Sequence, residues 1–201
     1  ARYCDNFIIL ISGSKIFSYA GQRIGCIVVS EKLYDRGYPD LTRFYASTSF
    51  GHTLIYGTAY AVSAGVTHST QFAFAALLKA VNDGDLNFID EVRVYGKRAK
   101  IMKELFLSSG FRIVYDHDDG EPIADGFYFT VAYNGYSGEE LVEQLLYYGI
   151  SAISLSNTGS LRKEGIRACV SLVADSQLPE LEKRLKLFHE KIFYIKICLS
   201  N

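Results

Sequence analysis

The stretch SGSKIFSYAGQRIG, residues 12–25, decides the fold. It follows the apolar run DNFIILI (5–11) and leads into RIGCIVV (23–29), and both runs are typical of strands buried on two faces, as in parallel α/β sheets. Lys15 lies in a tight Ser/Gly loop directly after the first predicted strand, and Arg23 opens the second. The pattern therefore predicts a lysine and an arginine at one edge of a sheet.

These residue types suit imine formation with a carbonyl group and the binding of a phosphate. A lysine beside a buried strand must be solvated or lose its charge, and the neutral amine is the form that attacks a carbonyl. The Arg23 guanidinium could hold a phosphate with two N–H groups, and the hydroxyls of Ser12 and Ser14 would add donors. A structural strand–turn–strand with a solvent-facing lysine and arginine is the alternative that residue types alone leave open.

The spacing S-x-S-K-x5-G-x-R-x-G resembles the cofactor-lysine signature of fold-type I, pyridoxal-phosphate-dependent aminotransferases. The resemblance implies that Lys15 forms the Schiff base with pyridoxal 5'-phosphate (PLP). It also implies that Ser12, Ser14 and Arg23 bind the cofactor phosphate. The activity implied is transfer of an amino group between an amino acid and a 2-oxo acid, in a cytoplasmic homodimer.

Two further segments extend the resemblance. The run GVTHSTQFAFAALLKAV (65–81) is predicted to be a buried helix from about Ser69 and is similar to the family's helix near the dimer interface. By that resemblance Ser69 or Thr70 could reach the neighbouring subunit's cofactor phosphate, with a helix N-cap as the alternative.

The run IRACVSLV (166–173) resembles the family's strand whose arginine binds the substrate α-carboxylate, which here is Arg167. A structural ion pair is the alternative for an arginine in an apolar strand. The chain departs from the family pattern in carrying Leu155-Ser156-Asn157 where a Pro-Gly turn is usual.

The predicted fold class is α/β: the end of the large PLP-binding domain (1–84), the complete small C-terminal aminotransferase domain (85–191) and an apolar tail (192–201). From residue 85 the pattern predicts helix, strand, strand, helix, strand, helix, with a capping box at Ser137–Glu140. Two amphipathic faces are predicted, one at Ile89, Val92, Ala99, Met102 and Phe106, the other at Leu178, Leu181, Leu185, Phe188 and Ile192.

The family's acidic partner of the pyridine nitrogen and its N-terminal phosphate loop precede the lysine, and only 14 residues precede Lys15 here. We therefore expect a C-terminal portion that is inactive in isolation. In such a portion the strands around residues 12–25 would present apolar faces and an unpaired edge.

Composition excludes several other classes. A net charge of −1, from 21 basic and 22 acidic side chains, argues against a nucleic-acid partner. Four dispersed cysteines without a CxxC pair argue against zinc and disulfides and favour the cytoplasm. The apolar runs are too short to span a membrane. The acidic segment DHDDGEP (116–122) is predicted to be a solvated turn and not a calcium loop, so no metal site is expected.

Two other functions share these features. A fold-type I lyase or synthase, of the C–S lyase or cyclopropane-carboxylate-synthase type, would use the same residues. An aminotransferase-like sensing domain of a transcriptional regulator is the non-enzyme alternative. The amino-acid substrate is not specified by the sequence.

Overall fold

Two antiparallel strands flank the segment 12–25 in a computed structural model of the chain, which describes residues 4–123 and 126–199. Strand β1 (Ile8–Ser12) pairs with β2 (Gly25–Val29), with Ser12 opposite Gly25. The two strands are confirmed, but among the described residues they form a sheet of their own. The prediction that both strands are buried on two faces is therefore wrong for the described residues. Leu10 in β1, for example, is 75% exposed. The expected exposed apolar face is confirmed.

The chain divides into two compact units, Ala1–Phe88 and Ile89–Asn201. The rest of the first unit consists of mostly short helices joined by loops. Its elements are α1 (Gly13–Ile16), α2 (Glu31–Tyr34), a 3-10 turn (Pro39–Arg43), α3 (Phe50–His52), a π-helical segment (Thr53–Ala59), α4 (Tyr60–Ser63) and α5 (His68–Asp83).

Helix α5 is less buried than predicted. Only Thr70 and Phe74 are buried within it, and Phe72 is 77% exposed. The helix forms where predicted and ends at Gly84, whose φ of +83° is readily adopted by glycine. The predicted burial was wrong because an apolar sequence shows only that a surface would be stabilised by burial, not that other residues bury it. Within the first unit, other residues bury only one narrow strip of helix α5.

The second unit is an α/β layer structure. Its sheet has the order β3-β6-β8-β7, and every neighbouring pair is antiparallel. The elements are α6 (Phe88–Ser108), β3 (Phe111–Ile113), the hairpin β4 (His117–Asp118) and β5 (Glu121–Pro122), β6 (Tyr128–Tyr133), α7 (Gly138–Leu146), β7 (Ile153–Ser154), β8 (Ile166–Cys169) and α8 (Leu178–Leu199).

One core joins this sheet to helices α6, α7 and α8. Full burial of a Leu or Phe side chain contributes roughly 1.5–3 kcal/mol, so this core is the main stabilising element of the unit. Of the two predicted faces, Ile89 is exposed and Val92 and Leu181 are half-buried. The other seven predicted residues are buried: Ala99, Met102, Phe106, Leu178, Leu185, Phe188 and Ile192.

Local signals in the second unit are confirmed. Ser137 and Glu140 form the predicted capping box, in which the Ser137 N–H donates to Glu140 Oε2 at 2.8 Å. The segment DHDDGEP is a tight solvated hairpin turn, with positive φ at Asp119 (+49°) and Gly120 (+82°). Helix α8 continues to Leu199, so most of the predicted tail is helical, and residues 200–201 lie outside the described part.

Among the described residues, no helix is both long enough and apolar enough to cross a bilayer. Within the same residues, no cluster of three or more His, Cys, Asp or Glu side chains is arranged to hold a metal ion.

Candidate active site

Ser12, Ser14 and Arg23 line one concave surface, at the end of β1 and the approach to β2, with a volume of ≈ 390 Å³. The predicted Ser/Gly loop is a helical turn, α1, which runs directly out of β1. The Gly13 N–H donates to the Ile24 carbonyl at 3.1 Å, and a Cβ on Gly13 would lie 3.1 Å from that oxygen. Glycine at this position therefore lets α1 lie close against the start of β2, which brings the three side chains together.

Arg23 does not open the second strand as predicted, because β2 begins two residues later. Its backbone is left-handed (φ 53°, ψ 51°), a conformation that costs a non-glycine residue roughly 1–2 kcal/mol. Its Nη1 donates to the Ala20 carbonyl at 3.0 Å, and no carboxylate among the described residues forms an ion pair with it. The exposed guanidinium thus keeps donors for an anion, at a strained position of the kind that clusters at functional sites.

The two glycines of the motif differ in their surroundings. A Cβ on Gly25 would lie 2.7 Å from the Ile11 carbonyl oxygen, so the strand pairing itself requires glycine. A Cβ on Gly21 would meet no atom within 4 Å. Close backbone packing therefore explains the glycine at position 25, whereas nothing in the structure explains the glycine at position 21.

Lys15 lies in the middle of α1, adjacent in sequence to Ser14, and its side chain is exposed. It is not one of the residues that line the concave surface. The structure therefore gathers the two serines and Arg23 and leaves Lys15 beside them on the same helical turn.

Ser69 and Thr70 occupy the first turn of α5. The residue that caps this helix is Thr67, so the alternative role as an N-cap is wrong for both. Thr70 is buried, with its hydroxyl 3.5 Å from Gln22 Oε1, which belongs to the same segment as Arg23. Ser69 is exposed.

Arg167 lies on the sheet face opposite the core of the second unit. Strand alternation directs its neighbours Ile166 and Ala168 into the core and leaves Arg167 half-buried. Its Cα partners are Thr130 in β6 and Ile153 in β7. Its guanidinium Cζ lies over the Tyr128 ring, 4.2 Å from the centroid.

Arg167 differs from the other arginines of the second unit. Arg112 and Arg162 both contact Glu164, at 3.7 and 2.7 Å, and Arg93, Arg98 and Arg184 each have a carboxylate within 2.9 Å. Among the described residues of this unit, Arg167 is the one arginine without a carboxylate. Arg167 thus forms no structural ion pair, the alternative role considered for it, among the described residues of the second unit. Sequence reasoning missed Tyr128, because its proximity to Arg167 depends on strand register.

The turn that replaces the usual Pro-Gly is held by hydroxyl groups. Ser156 donates to Glu139 and lies 2.9 Å from the Ser154 hydroxyl, and Thr158 Oγ1 donates to the Leu155 carbonyl at 2.7 Å. The Ser156 hydrogen bond is the main cause that lowers the pKa of Glu139. Leu155 is buried, so the turn is anchored without proline.

No protein-family model and no curated protein matches the sequence. Among solved structures, the chain is similar to an aromatic aminotransferase from Pyrococcus horikoshii (TM-score 0.67, 17% identity) over 92% of its own length and 43% of that protein's. It is similar to α-aminoadipate aminotransferase from Thermus thermophilus, in complex with N-(5'-phosphopyridoxyl)-L-leucine (TM-score 0.65, 16% identity; 94% and 43%). A third similar structure is L-threonine-O-3-phosphate decarboxylase from Porphyromonas gingivalis (TM-score 0.57, 18% identity; 94% and 48%).

The chain thus spans less than half the length of these structures, and over that length it has the fold of the fold-type I, PLP-dependent aminotransferases.

Proposed function

We propose that this chain is the C-terminal portion of a PLP-dependent aminotransferase that moves an amino group between an amino acid and a 2-oxo acid. Residues 1–84 would close the large cofactor domain and residues 85–191 would form the small domain. The observation that carries the proposal is the common concave surface of Ser12, Ser14 and Arg23 directly beside Lys15, in a chain with this fold.

The donor set fits the cofactor phosphate. Two hydroxyl groups and a guanidinium without a carboxylate partner among the described residues supply charge-assisted hydrogen bonds to a dianion. Lys15, one residue beyond Ser14, would hold the cofactor covalently through its amine. When bound, PLP supplies the electron sink for the bond that breaks at the substrate α-carbon.

Two residues of the chain would act on the substrate. Once the amino group of the substrate has displaced it from the cofactor, the Lys15 amine would take the proton from the substrate α-carbon as a general base and return it as a general acid. Arg167 would hold the substrate α-carboxylate with both N–H prongs and so orient the α-carbon. Its lack of a carboxylate partner in the described part of the second unit supports this role, because an engaged guanidinium would have to give up one carboxylate to bind another.

A cytoplasmic homodimer is part of the proposal. Ser69, exposed in the first turn of α5, is the side chain available to a neighbouring subunit's cofactor phosphate, since the Thr70 hydroxyl faces Gln22. Cys4, Cys26 and Cys169 form no disulfide bond, which is the expected state in the cytoplasm.

Decarboxylation is the second candidate reaction, because one of the similar structures is an L-threonine-O-3-phosphate decarboxylase. Both reactions would use the same phosphate donors and the same lysine. They differ in product, so an assay of the protein that contains this chain should measure 2-oxo acid and CO2 side by side. Formation of 2-oxo acid without CO2 supports transamination, and CO2 release supports decarboxylation.

The phosphate site can be tested by PLP affinity. Arg23→Gln removes a charge-assisted hydrogen bond that contributes about 1.5–3 kcal/mol, so PLP should bind roughly ten- to a hundredfold more weakly. Arg43→Gln is the matched control, because Arg43 is another arginine of the first unit and lies over the Phe44 ring, outside the concave surface. Equal PLP affinity in the two variants would exclude Arg23 from the phosphate site.

A further inference from the structure

The partner of Arg167 is a ring and not an acid. Tyr128 and Arg167 lie on the same face of the sheet, because Thr130, two residues after Tyr128, is the Cα partner of Arg167. Diagonal neighbours of this kind come within reach of long and aromatic side chains. The guanidinium Cζ is 4.2 Å from the Tyr128 ring centroid, which is within the range of a cation–π interaction.

Neither the strand partners of Arg167 nor the nearest acid along the chain is a comparable partner. The Thr130 hydroxyl accepts the Tyr115 N–H at 3.0 Å, and Ile153 on the other side is apolar. Glu164, the nearest acid along the chain, is already engaged by Arg112 and Arg162. Within the described residues, the Tyr128 ring is thus the main feature that can fix the position of the Arg167 guanidinium.

A ring differs from a carboxylate in what it leaves free. A carboxylate would bind the N–H prongs in the guanidinium plane and neutralise the charge. A ring carries no formal negative charge, so the guanidinium keeps its positive charge for a ligand. Fixing the side chain in advance also reduces the conformational entropy lost on binding, since an arginine side chain loses up to about 2 kcal/mol when ordered.

We propose that Tyr128 is a positioning residue for the substrate site: its ring holds the Arg167 guanidinium in a preorganised state, with both N–H prongs free for the substrate carboxylate. This inference rests on the proposed role of Arg167. The ring and not the hydroxyl carries the effect, so phenylalanine can replace Tyr128 and an aliphatic residue cannot.

The test uses the ¹⁵N-labelled 201-residue chain, titrated with sodium acetate against sodium chloride at equal ionic strength. The Arg167 Nε–H resonance is assigned by its loss in Arg167→Lys. In the parent chain this resonance should show the upfield displacement of a proton near a ring face, and acetate should shift it. Tyr128→Phe should retain both effects. Tyr128→Leu should abolish the displacement and weaken acetate binding roughly three- to tenfold, the range expected for a cation–π contact.

Tyr115→Leu is the matched control, because Tyr115 lies beneath a different arginine, Arg162, at 5.5 Å. It should leave the Arg167 resonance and the acetate affinity unchanged. Parent-like behaviour of Tyr128→Leu overturns the inference, and so does a Tyr128→Phe variant that behaves like Tyr128→Leu. Acetate binding that persists in Arg167→Lys removes the carboxylate role itself. Failure of the carboxylate role can be distinguished from failure of the Tyr128 inference, because it leaves the ring-current displacement of the parent chain in place.

Discussion

Gly165 sits directly before β8 and fixes how the chain enters the strand that carries Arg167. Its φ is +109°, outside the range that residues with a side chain readily adopt. A Cβ built there would lie 2.8 Å from the Val131 carbonyl oxygen, 2.9 Å from Val114 Cγ2 and 3.3 Å from Leu155 Cδ1. Two of these neighbours are buried side chains and the third is backbone of the central strand β6, so none can move aside freely.

The cost of Gly165→Ala can be estimated from two effects. Holding alanine in such a conformation costs about 1–3 kcal/mol, and crowding a well-packed interior costs about 1–3 kcal/mol more. The expected loss is therefore about 2–6 kcal/mol, which is a large share of the roughly 5–15 kcal/mol typical of a folded domain. The acetate response of Arg167 should weaken with it.

Urea unfolding followed by circular dichroism measures this loss. Gly96→Ala is the matched control, because Gly96 lies inside α6 and a Cβ there would meet no atom within 4 Å. Alanine in a helix interior should raise the free energy of unfolding by about 0.5–1 kcal/mol. A Gly165→Ala chain whose free energy of unfolding lies within about 0.5 kcal/mol of the parent's would show that neither the strain nor the crowding exists.

Four other substitutions test local features of the structure. Gly25→Ala should disrupt the pairing of β1 and β2, because its Cβ would lie 2.7 Å from the Ile11 carbonyl oxygen. Gly21→Ala should be tolerated. Hydrogen exchange of the strand amides should therefore be faster in the Gly25→Ala chain than in the Gly21→Ala chain. Ser137→Ala should cost about 1 kcal/mol in urea unfolding by removing the cap of α7. The hydrogen bond from the Ser137 N–H lowers the pKa of Glu140 below its ordinary 4.5. The stabilisation that this hydrogen bond gives is therefore present above pH 4.5 and is lost as pH falls through the lowered pKa. In Glu140→Gln the free energy of unfolding should therefore decline less steeply below pH 4.5 than in the parent chain. Urea midpoints measured between about pH 3 and 7 test this, and midpoints equal to the parent's at every pH would contradict it.

Local signals made much of the second unit predictable. The capping box at Ser137 and Glu140 needs only residues three apart, and the apolar repeat of α8 places Leu185 and Phe188 in the core by periodicity alone. Prediction of burial was less successful in the first unit. Leu10 and Phe72 are apolar and exposed, because burial depends on what covers a surface and not on the residue itself.

Two features of the candidate site lay beyond sequence reasoning for a different reason. The left-handed backbone of Arg23 follows from the turn that precedes β2, and an arginine gives no sign of it. The contact between Tyr128 and Arg167 depends on the register of β6 against β8, which brings together residues 39 positions apart. A shift of one residue would place the ring on the other face.

Lys15 is the residue proposed to hold the cofactor. The most direct test of this role is to incubate the protein that contains this chain with PLP, reduce with borohydride, and locate the phosphopyridoxyl group by mass spectrometry of a digest. Lys32 and Lys79, exposed lysines of the same unit that pair with Asp5 and Asp83, are internal controls. We expect a stoichiometric phosphopyridoxyl group on Lys15 that disappears in Lys15→Arg. A group spread over the surface lysines, or retained in Lys15→Arg, would contradict it.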